Sequence, residues 1–71
     1  MKLIVNGRAA DYEKPLTVSQ LLTAESVQMP EMVSVEVNGR ILRRAEFDIT
    51  TLAGDDKVEF LYFMGGGCVA N

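Results

Sequence analysis

Histidine is absent from this 71-residue sequence, and cysteine occurs once, as Cys68. These shortages exclude a disulfide framework, zinc-finger ligand spacing, Cys/His nucleophilic pairs and Ser/His/Asp triads. Basic charge is also scarce: seven Lys and Arg residues against ten Asp and Glu leave a net charge of −3. The seven are scattered, so no basic stripe is available for a phosphate backbone and a nucleic-acid partner is not expected. An acidic chain is better suited to the basic surface of another protein. No apolar run approaches the ~20 residues of a membrane span, and Met1-Lys2 leads directly into strand-like sequence rather than a signal peptide. The expected location is therefore the cytoplasm. Carboxylates, lysines and tyrosines remain for catalysis, and no pair of them sits in a recognisable motif, so the chain does not read as an enzyme.

What is present suffices for one small domain. Hydrophobic residues make up 48% and charged residues 24%, which is ordinary for a globular protein and argues against disorder. A domain of about 60 residues buries only roughly 60% of the surface its unfolded chain exposes, so the core is small.

The tetrapeptide Val-Asn-Gly-Arg occurs twice, at 5–8 and 37–40. Asn-Gly is the strongest two-residue hairpin signal, because both central positions of a type I′ turn need positive φ. The first hairpin is expected to pair 2–6 with 8–12, and the second to pair 32–38 with 40–43. The flanking sequences do not match, so the repeat is one turn solution used twice. Between the hairpins, Thr17 is positioned as a helix N-cap, Gln20 completes a capping box, and Leu16 can staple onto Leu21. Val18, Leu21 and Leu22 then share one stripe facing a sheet. Pro30 restricts Met29 to extended geometry and makes further helix there unfavourable.

Val33, Val35 and Val37 alternate with Ser34 and Glu36, the period of a strand with one dry face. Residues 44–47 are expected to form one helical turn. Arg43 and Arg44 read as surface residues rather than a phosphate site. In the loop 52–56, Gly54 permits the bend; Asp55 and Asp56, with Glu59, read as a solvated face rather than catalytic carboxylates. The last strand, 57–63, places Val58, Phe60 and Tyr62 on one face and Glu59, Leu61 and Phe63 on the other. An apolar strand of this kind suits the middle of a sheet, parallel to the first strand and covered by the helix on one side. Leu61 and Phe63 then emerge on the uncovered face. Loops could cover them, or they could form a docking patch with Met64.

The class is thus α+β, a mixed sheet of about five strands in the order ββαβββ packed on one helix. Residues 1–63 form the domain, and residues 64–71 a flexible tail containing Gly65, Gly66 and Gly67. Glycine loses the most backbone entropy on ordering, so three in succession need a reason. Without Cβ atoms they can thread a narrow channel, and from Phe63 to Gly67 the extended reach is about 13 to 14 Å.

The two hairpins, the stretch Leu16-Thr-Val-Ser-Gln-Leu-Leu22, the stretch Gly54-Asp-Asp-Lys-Val-Glu-Phe60 and the ending Phe63-Met-Gly-Gly-Gly67 together resemble the ThiS family of sulfur carriers in thiamine biosynthesis, over residues 1–67. The resemblance implies a ubiquitin-like β-grasp fold of the ThiS/MoaD kind. It also implies a mechanism: a ubiquitin-activating-type adenylyltransferase (ThiF-like) uses ATP and magnesium to adenylate Gly67, no cofactor being bound by the carrier itself. Sulfur from a cysteine desulfurase persulfide then displaces AMP to give a thiocarboxylate, which thiazole synthase consumes. Activation is required because a backbone carboxylate, with a pKa of about 3.3 to 3.7, is anionic at pH 7 and a poor electrophile.

This sequence departs from the family pattern in continuing past the glycines with Cys68-Val-Ala-Asn71. Gly67 is then held in a peptide bond, and removal of residues 68–71 by a peptidase is expected to come first. A direct sulfur-accepting role for Cys68 is disfavoured, since no Lys, Arg or His in the tail lowers its thiol pKa. Carriers for molybdopterin or for cysteine and homocysteine synthesis, and a ubiquitin-like protein modifier, remain alternatives on sequence alone.

Overall fold

The structure, a computed structural model, describes the backbone of residues 1–64 and 68–69 and the side chains of residues 1–62. Five strands, β1 (Lys2–Val5), β2 (Arg8–Asp11), β3 (Val33–Val37), β4 (Arg40–Leu42) and β5 (Lys57–Met64), form one mixed sheet in the order β2-β1-β5-β3-β4. β1 and β5 are parallel, with Val5 level with Val58, and the other neighbours along this path are antiparallel. A two-residue strand, β6 (Cys68–Val69), pairs antiparallel with the end of β5, Phe63 opposite Val69 and Met64 opposite Cys68.

Both Asn-Gly turns form as the dipeptide dictates. Asn6 and Gly7 take φ of 50° and 81°, Asn38 and Gly39 take 52° and 87°, the paired left-handed geometry that closes a two-residue hairpin with the twist of its strands. Helix α1 (Val18–Ala24) starts at the expected capping box: Gln20 N donates to Thr17 Oγ1 at 3.2 Å and Thr17 N to Gln20 Oε1 at 2.9 Å. Seven residues are too few to hold a helix in water. Val18, Leu21 and Leu22 are buried, and this burial against the sheet supplies what propensity does not.

The core forms between α1 and one face of the sheet. Leu3 and Val5 from β1, Val33 and Val35 from β3, Leu42 from β4 and Val58 from β5 meet the helix, with Phe47 and Leu52 closing the sides. Phe60 and Tyr62 are half-buried against the same core. The alternation expected along β3 and β5 is therefore present, and β5 occupies the centre. This is the ubiquitin-like β-grasp. Among the described residues no helix is long and apolar enough to cross a membrane.

One local expectation is corrected. Met29 is not extended: it adopts φ 50°, ψ 59°, and Pro30–Met32 form one 3-10 turn closed by Met32 N donating to Met29 O at 2.8 Å. Proline removes the right-handed helical option from the preceding residue, and the chain, leaving α1 through Ser26 at φ 55°, must reverse into β3 within a few residues. The left-handed basin provides that reversal at a cost of roughly 1–2 kcal/mol. Met32 consequently ends the turn instead of starting β3. The 52–56 loop bends at Gly54 as expected and at Asp55 with it, closed by Asp56 N donating to Ala53 O at 3.2 Å; the left-handed position is Asp55, at φ 69°, and aspartate tolerates that region better than most side chains.

The second 3-10 turn, Arg44–Glu46, explains the two arginines before Phe47. Arg44 donates to Pro30 O at 3.0 Å and Val33 O at 2.8 Å, and its guanidinium lies 5.1 Å from the Phe47 ring centroid. Arg43 donates through Nε to Glu46 Oε2 at 3.3 Å. Both are structural. The backbone N–H and side chain of Arg43 together hold the Glu46 carboxyl below the usual carboxylate range.

Candidate functional site

β5 carries the chain from the middle of the sheet to Met64, and two asparagine side chains hold it along the way. Asn6 Oδ1 accepts from Phe60 N at 2.9 Å, and Asn38 Oδ1 accepts from Lys57 N at 2.9 Å. Asn38 Nδ2 also donates to Asp56 Oδ1 at 2.9 Å. The two copies of Val-Asn-Gly-Arg thus do more than turn. The first caps β5 where its parallel ladder with β1 runs out, just after Asn6 N donates to Val58 O at 2.9 Å. The second fixes the start of the same strand. Sequence reasoning missed this role, and the repeat itself was the available signal.

Register defines the face that α1 leaves uncovered. Leu61 of β5 lies opposite Ser34 of β3, Glu59 opposite Glu36, and Glu36 opposite Ile41 of β4. Leu61, expected on this face, is there and half-buried; Ile4 is also half-buried and Ile41 is 55% exposed. Apolar side chains and two directly opposed carboxylates share this surface. Like charges opposite one another are unfavourable across a strand pair. Neither glutamate makes an ion pair with a described cation, and residues 63–71 contain no Lys or Arg that could supply one. Phe63 and Met64 lie in the backbone of β5, while their side chains, and Gly65, Gly66 and Gly67 altogether, lie outside the described residues.

Other features point away from a second site. An open groove of about 560 Å³ runs between α1 and the two 3-10 turns, lined by Leu22, Val27, Phe47 and Arg44 among others. Its one arginine is already committed to two carbonyls and a ring. Among the described residues no three His, Cys, Asp or Glu side chains are grouped to hold a metal. Tyr12 donates to Glu25, which also accepts from Arg8 at 3.2 Å. Burial, then that hydrogen bond and the carboxylate charge, push the Tyr12 phenol up to about 12. The cluster ties β2 to the end of α1 and lies outside the β5 face described above.

Comparison with known proteins agrees with this geometry. The ThiS family model matches residues 3–67, ending on the last glycine. Two curated relatives, a thiazole synthase of Magnetococcus marinus at 34% identity and one of Paramagnetospirillum magneticum at 33%, each match over 67 residues, 94% of this chain. The chain spans about one fifth, 20%, of the length of these relatives. A crystal structure of the thiamine biosynthesis protein ThiS of Geobacter metallireducens superimposes with a TM-score of 0.87 at 49% identity, covering 94% of this chain and all of that one. A solution structure of a thiamine biosynthesis protein from the same organism gives 0.76 at 48%, covering 100% of this chain and 94% of that one. With the β-grasp sheet, the uncovered face beside β5 and a family match running to Gly67, this chain belongs to the ThiS family.

Proposed function

We propose that this chain is a sulfur carrier of thiamine biosynthesis and that Gly67 is the residue that carries the sulfur. The observation that carries the reading is the family match over 3–67 on a fold whose central strand delivers the chain directly to Met64 and the glycines. Membership in a family of small carriers supports a protein that is acted upon rather than one that catalyses.

In this sequence Gly67 is followed by Cys68, so hydrolysis of the 67–68 peptide bond by a peptidase comes first and frees the Gly67 carboxylate. A ubiquitin-activating-type adenylyltransferase then joins that carboxylate to the α-phosphorus of ATP, with magnesium, releasing pyrophosphate. The acyl-adenylate is a good electrophile where the carboxylate is not. Sulfur delivered as the terminal atom of a cysteine desulfurase persulfide attacks the carbonyl and displaces AMP. The acyl disulfide so formed is cleaved at its S–S bond by two electrons from a thiol reductant, which frees the donor cysteine as a thiol and leaves the thiocarboxylate on Gly67. Thiazole synthase takes the sulfur and returns the carboxylate; the printed names of the two curated relatives support this partner. The uncovered face around Leu61, with Phe63 and Met64 beyond it on β5, docks these enzymes, and Gly65 to Gly67 enter their channels, where any Cβ would add bulk.

The test is mass spectrometry of the carrier purified from its own cells. The expected species ends at Gly67 and includes a form in which one oxygen is replaced by sulfur. Replacing Gly67 with valine, in a chain ending there, is expected to abolish the sulfur-bearing form without changing the far-UV circular dichroism. Sulfur loading undiminished in that variant, or thiazole formation supported by a chain that keeps Cys68, refutes the mechanism.

A further inference from the structure

Among the described residues, Met29 and Met32 are two of the four exposed large apolar side chains, at 59% and 53% exposed. They sit at a particular end of the sheet. β3 runs antiparallel to β5 with Val33 opposite Tyr62, so the Pro30–Met32 turn, immediately before Val33, lies at the end where β5 leaves the sheet. Tyr62 Oη donates to Gln28 O at 3.0 Å, and Arg44 holds Pro30 O at 3.0 Å and Val33 O at 2.8 Å. Tyr62 thus ties the approach to the turn onto the end of β5, while Arg44 ties the turn itself to the second 3-10 turn. Met29 is also held in the left-handed conformation, which presents an unbranched apolar side chain from a backbone position that such residues rarely occupy.

Covalent geometry makes this position consequential. From Met64 to Gly67 the chain can span at most about 10 to 11 Å. An enzyme that reacts with the Gly67 carboxyl must bring its active site within that distance of the end of β5. Its surface around the channel mouth then lies against whatever surrounds the exit. Methionine suits such a contact because its flexible, polarizable side chain adapts to irregular surfaces.

We propose that Met29 and Met32 form an apolar rim beside the exit of β5 and dock against the channel mouth of the adenylating enzyme. The proposal rests on the reading of Gly67 as the adenylated residue. Glu31, exposed between them on the same turn, matches the rim to a mouth carrying basic charge. The rim supplies binding that is the same before and during the reaction. Its removal raises KM for the carrier and leaves kcat unchanged.

The experiment measures ATP–pyrophosphate exchange by the purified ThiF-like adenylyltransferase of the same organism, with carrier ending at Gly67 as substrate. A chain of that extent is a sound object, since α1 and all of β1 to β5 end by Met64. The double variant Met29→Gln, Met32→Gln is expected to raise KM about tenfold or more, as the loss of two half-exposed apolar contacts requires, with kcat unchanged. Met29→Leu, Met32→Leu, which keeps the apolar surface, is expected to stay within about twofold of the parent. Ile49→Gln alters a side chain that is 77% exposed, on a loop fixed to the start of α1 by Val18 N donating to Thr50 O at 3.0 Å, and is expected to change nothing. Thermal unfolding of each variant checks that the fold is intact. An unchanged KM in the glutamine pair, an equal rise in the leucine pair, or a loss confined to kcat overturns the rim. Absence of exchange with the unsubstituted carrier overturns the sulfur-carrier reading, and the rim with it.

Discussion

The clasp of Asn6 on Phe60 gives the sharpest test of how the sheet holds its central strand. Asn6→Gly removes the acceptor while keeping a residue that takes φ of 50° without penalty. The lost bond, Phe60 N to Asn6 Oδ1 at 2.9 Å, is solvent-accessible, so water replaces part of it. The cost therefore falls in the lower half of the usual net value for a hydrogen bond, about 0.5–1 kcal/mol. In a domain of this size each kcal/mol moves Tm by about 4 to 8 °C, so a fall of roughly 2–8 °C is expected. Asn6→Asp, which keeps an oxygen at the same place, should recover most of that loss. Asn6→Ala should lose more than glycine, because alanine pays the left-handed penalty of about 1–2 kcal/mol. Thermal unfolding followed by circular dichroism gives the totals, and amide hydrogen exchange gives the location. Phe60 N–H should exchange faster in the glycine variant, while Val5 and Val35 keep their protection. A Phe60 amide that exchanges as slowly in Asn6→Gly as in the parent refutes the clasp, whatever happens to Tm.

Three further outcomes are expected. With Tyr62→Phe leaving Tyr12 as the sole tyrosine of two, absorbance titration should place its ionisation near 12. Because the folded value is raised above the unfolded value near 10, the associated stability is whole below pH 10 and declines as pH rises toward 12. Tyr12→Phe should flatten that part of the urea midpoint profile, and an unaltered profile excludes the coupling. Arg44→Ala, which removes two carbonyl bonds and the ring contact, should cost about 1–2 kcal/mol in chemical unfolding; no loss would mean the arginine is free for another role. Leu61→Ala, on the face that α1 does not cover, should cost about 1 kcal/mol or less but raise KM for the carrier in the adenylyltransferase assay, and an unchanged KM would remove Leu61 from the docking surface.

Much of the fold was legible because its instructions are local. Asn-Gly specifies its turn within two residues, and Thr17 with Gln20 specifies a helix start within four. The place of β5 followed from its composition, since a strand so apolar suits the middle of a sheet rather than its edge. Met29 was misread because the rule for residues before proline excludes one basin and leaves two. The choice between them is made by the reversal from α1 into β3, which is tertiary. The repeated tetrapeptide marked Asn6 and Asn38, but their partners were not legible for the same reason: the Asn6 bond spans 54 residues of sequence. The opposition of Glu36 and Glu59 needed the register of β3 on β5. The candidate site divides likewise. Leu61 could be assigned to its face by alternation, whereas Met29 and Met32 gain their position from the pairing of Val33 with Tyr62. The glycines were readable as chemistry, and they lie outside the described residues.

The parallel pairing of β1 with β5 has a mechanical consequence. A pull on the C-terminal end of β5, directed along the strand axis, loads the pairs on both of its sides. The hydrogen bonds that join β5 to β1 and β3 run across that axis, so the load reaches them in shear and they resist together instead of opening one by one. Asn6 and Asn38 add two rungs to the same loaded strand. A sheet built this way can be tugged repeatedly at the end of its central strand without coming apart.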